Sequence, residues 1–120
     1  MIETHFLALA QLITSGQTVE ALQRFYHPNV VVTEADGTSR TGQDVNITNE
    51  QKNLQAVTAV HARLLGYAIN EAASTVFAEW EFIFTNLKGQ SFRLLEVSVQ
   101  EWEGNLVKAE RFYYKDFTSI

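Results

Sequence analysis

From Ala59 to Asp116 the chain reads as strand after strand, and this run limits what the rest can fold into. Alternation marks four segments, roughly 59–70, 74–86, 91–102 and 106–116. Gly89 punctuates one connection, and Gly104-Asn105 makes a two-residue hairpin turn. A four-strand meander has two faces and must cover at least one of them. The cover lies ahead of it in sequence. Ile2, Phe6, Leu9 and Ile13 recur at helical spacing up to Gly16. Thr18 is placed to cap a second helix in which Val19, Leu22 and Phe25 share a face, and His27-Pro28 ends it. "NVVVTE" (29–34) is a short strand, "ADGTSRTG" (35–42) a turn-rich loop, and 43–56 a third, mostly polar helix. Helices first and a meander last is an α+β order, with the helices covering one face of a curved sheet.

Alternation on the third meander strand sorts its residues. One face carries Phe92, Leu94, Glu96, Ser98, Gln100 and Trp102; the other carries Arg93, Leu95, Val97, Val99 and Glu101. Two readings stay open. Either Leu95, Val97 and Val99 form the core and the polar set meets water, or both faces are covered, the polar set lining a pocket and the valine stripe meeting a partner subunit. Flanking strands favour the second reading, because they put aromatics on both faces: Trp80, Phe82 and Phe84 against Phe77 and Ile83, and Phe112 and Tyr114 against Tyr113. Sheets with one solvated face alternate more cleanly. Counting back from the hairpin turn, Glu103 faces Leu106, Ser98 lies opposite Arg111, and Glu96 lies opposite Tyr113.

Composition narrows the classes. The chain has 120 residues, 46% apolar and 12% aromatic, which suits one globular domain spanning 1–120. It has no cysteine, so neither a disulfide framework nor a thiolate metal site is available. Its histidines, His5, His27 and His61, are not at ligand spacing, so no metal is expected. A net charge of −5, with nine scattered basic residues, disfavours a nucleic-acid surface. No apolar run approaches a membrane span, and the N-terminal segment reads as a helix rather than a leader, so a cytoplasmic location is expected.

The segments "ALQRFYHPNVVVTEADGTSRTG" (21–42) and "VSVQEWEGNLVKAERFYYKD" (97–116) resemble nuclear transport factor 2-like proteins, nearest to the SnoaL-like and ketosteroid-isomerase-like groups. The resemblance implies a cone: N-terminal helices packed in a strongly curved, mostly antiparallel sheet around a pocket, with the outer sheet face used for dimerisation. It places a carboxylate base at Glu34, just after the first strand, and a neutral carboxylic acid at Glu96. The tyrosine that such isomerases keep on the first helix is absent, Leu9 or a neighbour standing there instead.

The expected site is therefore Glu34 and Glu96 as catalytic carboxyls, with Tyr26, His61, Trp80, Phe82, Ser98, Arg111 and Tyr113 around a small apolar ligand. A homodimer would form through Leu95, Val97, Val99, Phe112 and Tyr114. Two carboxyls in an apolar cone form an acid/base device needing no cofactor, suited to an isomerase, cyclase or dehydratase acting on a carbonyl compound. The alternative is a non-catalytic ligand-binding or dimerisation module of the same fold. The acidic residues Glu79, Glu81, Glu101, Glu103 and Glu110 are expected on a solvated face.

Overall fold

A computed structural model describes all residues, 1–120. Two helices, α1 (Ile2–Thr14) and α2 (Thr18–Phe25), lead into β1 (Tyr26–Thr33) and β2 (Ser39–Thr41). A third helix, α3 (Gln43–Gln55), precedes β3 (Val57–Asn70), β4 (Thr75–Asn86), β5 (Ser91–Glu103) and β6 (Leu106–Tyr113). A two-residue strand, β7 (Thr118–Ser119), pairs with the start of β5. The sheet runs β2-β1-β6-β5-β4-β3; all its pairs are antiparallel except β1–β6. Three helices on a curved, mostly antiparallel sheet make this the expected α+β architecture.

The helices bury one stripe each. Phe6, Leu9 and Ala10 of α1 and Ala21 and Phe25 of α2 meet Val76, Ala78, Trp80, Trp102 and Val107 of the sheet. Gly16 takes a positive φ of 78° and lets the chain reverse between α1 and α2. Gln17, not Thr18, is the N-cap of α2. The C-terminal carbonyls of α2 find a donor in Gln43, whose side-chain amide reaches the carbonyls of Leu22, Gln23 and Tyr26. That contact fixes α3 against α2. Pro28 lies within β1 rather than ending α2 outright. It falls where β1–β6 pairing is interrupted, between Tyr26 and Val31, so its missing N–H breaks no ladder bond.

The terminal hairpin shows the largest departure from expectation. Glu103 does face Leu106 across the Gly104-Asn105 turn. One pair further on, however, Trp102 faces Val107 while Glu101 faces Ala109, leaving Lys108 as an extra, bulged residue. Because side chains alternate with period two, that one residue moves the rest of β6 to the opposite face. Phe112, not Arg111, lies opposite Ser98, and Tyr113 lies opposite Val97. Glu110 turns inward and is buried, while Tyr113 turns outward and is exposed.

Candidate functional site

The curved sheet and the three helices enclose a cavity of about 630 Å³. Its apolar wall includes Trp80, Phe82 and Phe84 of β4, Phe92 and Leu94 of β5, and Phe112 of β6. The three β4 aromatics stack in sequence, with ring centroids 5.9 and 5.8 Å apart. Val57, Val60 and Ala62 of β3 and Leu22 of α2 add aliphatic surface. Beyond β6 the chain folds back so that Phe117 packs against Phe84 and Tyr114 and joins the lining.

Four carboxyls face this apolar space: Glu34, Glu50, Glu96 and Glu110. Glu96 sits mid-way along β5, opposite Trp80, and is 9% exposed. Nothing offsets its burial. Desolvation first, and then repulsion from Glu110, Glu34 and Glu50, pushes its carboxyl up to about 8, so it is protonated at neutral pH. Glu110 is buried too, but it is bonded. Tyr26 Oη donates to one carboxyl oxygen and Gln100 Nε2 to the other at 2.7 Å, while Trp102 Nε1 donates to Gln100 Oε1 at 3.2 Å. Burial raises Glu110 to about 7 against those hydrogen bonds, which favour the charged form. The same contact raises Tyr26, through burial and then the Glu110 charge.

Glu34 follows β1 at the cavity wall. Arg40 Nη2 pairs with its carboxylate at 2.6 Å, and Tyr114 Oη donates to its other oxygen at 3.2 Å. Burial, then the Glu34 charge, raises the Tyr114 phenol to about 12, so it stays a donor. Arg40 is itself held by Asn46 of α3, which accepts from Arg40 Nε and donates to the Arg40 and Gly42 carbonyls. Glu50, one helical turn on from Asn46, is raised by burial.

The expected site thus divides. Glu34, Glu96, Tyr26, Trp80 and Phe82 line the cavity. Ser98 is buried outside that lining, accepting from Trp80 Nε1 at 3.2 Å. His61, Arg111 and Tyr113 lie on the outer face. His61 pairs in register with Ile83, Arg111 is bonded to Glu101, and Tyr113 is 55% exposed. In the expected dimer stripe, Leu95 and Val97 are exposed on the outer face, and Val99 beside them is buried within the chain. Phe112 and Tyr114 belong to the cavity instead. Glu110, expected in solvent, is the carboxyl that sequence reasoning misplaced. The misplacements of Glu110, Arg111, Phe112 and Tyr113 on β6, and of Tyr114 just after it, have one cause, the bulge at Lys108. An apolar-plus-aromatic count of β6 in the shifted register, with Glu110, Phe112 and Tyr114 together, was the available signal.

No protein-family model matches the sequence, and no curated protein does either. Solved structures, by contrast, superpose over nearly the whole chain. A protein described as a SnoaL-like polyketide cyclase from Mesorhizobium loti has a TM-score of 0.80 at 18% identity, covering 95% of this chain and 99% of its own. A nuclear transport factor 2-like protein of unknown function from Burkholderia pseudomallei gives 0.82 at 12%, covering 95% and 90%. A protein of ketosteroid isomerase-like fold from Catenulispora acidiphila, in complex with trimethylamine, gives 0.77 at 18%, covering 92% and 85%. The fold is nuclear transport factor 2-like. At these identities the likeness carries the fold alone, and a nuclear transport factor 2-like fold hosts many chemistries. What this nuclear transport factor 2-like cone does must be argued from its own carboxyls. No helix in it is long and apolar enough to cross a membrane.

Proposed function

We propose that the cavity binds a small, largely apolar carbonyl compound and acts on it by carboxyl acid/base chemistry, as an isomerase, cyclase or dehydratase without a cofactor. The carrying observation is Glu96: a carboxyl buried in an apolar wall, facing the cavity with no side chain of the protein bonded to it, a setting that favours its neutral form. Such a group donates a hydrogen bond to a substrate oxygen, and it does so most strongly as negative charge develops there.

Glu34 is the partner base. It takes a proton from the carbon beside the carbonyl, the C–H electron pair forms the enolate C=C bond as the C=O π pair moves onto oxygen, and Glu96 O–H stabilises that oxygen. Return of the proton to another carbon completes an isomerisation. Attack of the enolate carbon on a second carbonyl closes a ring. The Arg40 guanidinium, 2.6 Å away, fixes the orientation of the Glu34 carboxylate at the cavity wall. Tyr114, not Tyr113, lines the cavity, and it is bonded to Glu34 rather than Glu96.

The alternative, a non-catalytic binding module, draws support from that same Arg40–Glu34–Tyr114 arrangement, which occupies the base. Deuterium uptake by a cyclic 1,3-diketone or by 2-tetralone, followed by proton NMR, separates the two. Catalysed uptake that drops more than about 100-fold in Glu34→Gln and Glu96→Gln supports the enzyme. Uptake equal to the buffer rate, with the ketone bound, supports the binding module. A homodimer through the outer face would use the exposed Phe77, Leu95, Val97 and Tyr113, which two copies related by a two-fold axis would bury against each other.

A further inference from the structure

The cavity lining holds four acidic side chains, Glu34, Glu50, Glu96 and Glu110, and one basic one, Arg40, which is already paired with Glu34. Glu96 adds a second, independent fact: a nine-tenths-buried polar side chain aimed into the space without a partner. Its cross-strand neighbour is Trp80, from which the stack of Phe82 and Phe84 extends along the wall. A buried carboxyl beside stacked aromatic rings complements an organic cation, attracted both by the carboxylate and by the ring faces. An anion would find no free base in the lining, since Arg40 is already held by Glu34.

We propose that the cavity accepts an organic ammonium ion with apolar substituents, tertiary or quaternary, its charge against Glu96 and its N-alkyl groups against Trp80 and Phe82. A quaternary nitrogen has no N–H to satisfy, which suits a wall built mainly of rings and aliphatic groups. Binding exchanges one cation for another: the Glu96 carboxyl gives its proton to solvent and its carboxylate pairs with the ammonium. The groups facing Glu96 that tune this exchange are Glu110 of β6, Glu34 after β1, Glu50 of α3, Arg40 of β2, and the phenols of Tyr26 and Tyr114. The inference stands independently of carbonyl turnover, since it needs the cavity and Glu96 but not a competent base.

The test is calorimetric titration of the full chain with benzyltrimethylammonium near neutral pH, in buffers of different ionisation enthalpy. Saturable binding with release of most of one proton is expected, its affinity rising up to about tenfold per pH unit below the Glu96 midpoint. Phenylacetate, a carboxylate of similar size, should not bind. Glu96→Gln should lose at least about tenfold in affinity and most of the proton release, and Glu96→Asp should restore both. Absent binding, binding without proton release, or equal affinity for phenylacetate overturns the inference. Intact cation binding alongside absent deuterium uptake removes the enzyme reading and leaves this one standing.

Discussion

Replacing Glu96 with glutamine should make the protein more stable, and increasingly so as the pH rises. In the unfolded chain this carboxyl titrates at its ordinary value of 4.5; in the fold it titrates at about 8. Between those values the folded state binds one more proton than the unfolded state. Stability is therefore fully present below about 4.5 and is lost progressively as pH rises through about 8. At about 1.4 kcal/mol per unit, the excursion over the whole window has a ceiling near ~5 kcal/mol, and about 3 kcal/mol is already lost at neutral pH. Relaxation around the charge and its coupling to Glu110 reduce this, so ~2 kcal/mol is the expected gain for Glu96→Gln at neutral pH. Glutamine keeps the shape and neutrality of the protonated acid, so little else changes. Urea denaturation of both proteins from about pH 5 to pH 9 reads the effect, with the melting temperature rising by roughly 5 °C or more at the alkaline end. Parallel pH profiles for the two proteins would refute the reasoning, because a Glu96 that contributes no slope is not desolvated.

Three further outcomes follow from named contacts. Tyr26→Phe removes one of the two donors to buried Glu110, and should cost about 1–3 kcal/mol in the same denaturation assay; an unchanged midpoint contradicts the bonded network. Ser98→Ala leaves the Trp80 indole N–H without its acceptor and should cost about 1 kcal/mol while loosening the ring, read as a shift in tryptophan fluorescence. Val97→Lys puts a charge in the centre of the exposed outer patch and should leave the chain monomeric by sedimentation; a wild-type chain that is already monomeric at high concentration rules out the dimer.

The alternation of β5 was legible residue by residue. Glu96, Ser98, Gln100 and Trp102 all point inward and are buried, and Leu95 and Val97 point outward, because the unbroken ladder to β4 keeps the period-two alternation in register. β4 was equally clear, with Trp80, Phe82 and Phe84 on one face. The polar third helix was legible from its bounds, although its role was not. Within that polar helix nothing singles out Asn46 or Glu50, and only the packing of α3 against the cavity gives them partners or burial. β6 was misread because its register was counted from the turn as if pairing were regular. A bulge at Lys108 carries no Gly or Pro signal, yet it exchanges Arg111 and Tyr113 for Glu110, Phe112 and Tyr114 at the cavity. Long-range pairing, not local propensity, sets that choice. The Arg40–Glu34 pair depends in the same way on β2 returning beside β1, with Thr33 facing Ser39.

The protonation state of Glu96 underlies the proposed acid chemistry, the proposed cation exchange and the pH profile of stability alike. It is measured most directly by carbon-13 NMR of glutamate side-chain carboxyls through a pH titration, with Glu96→Gln supplying the assignment. A neutral acid in the cone requires one carboxyl titrating near 8 that vanishes in the variant. A Glu96 resonance that titrates near the ordinary 4.5 would contradict it, and the acid chemistry, the proton exchange on cation binding and the pH profile would fall together.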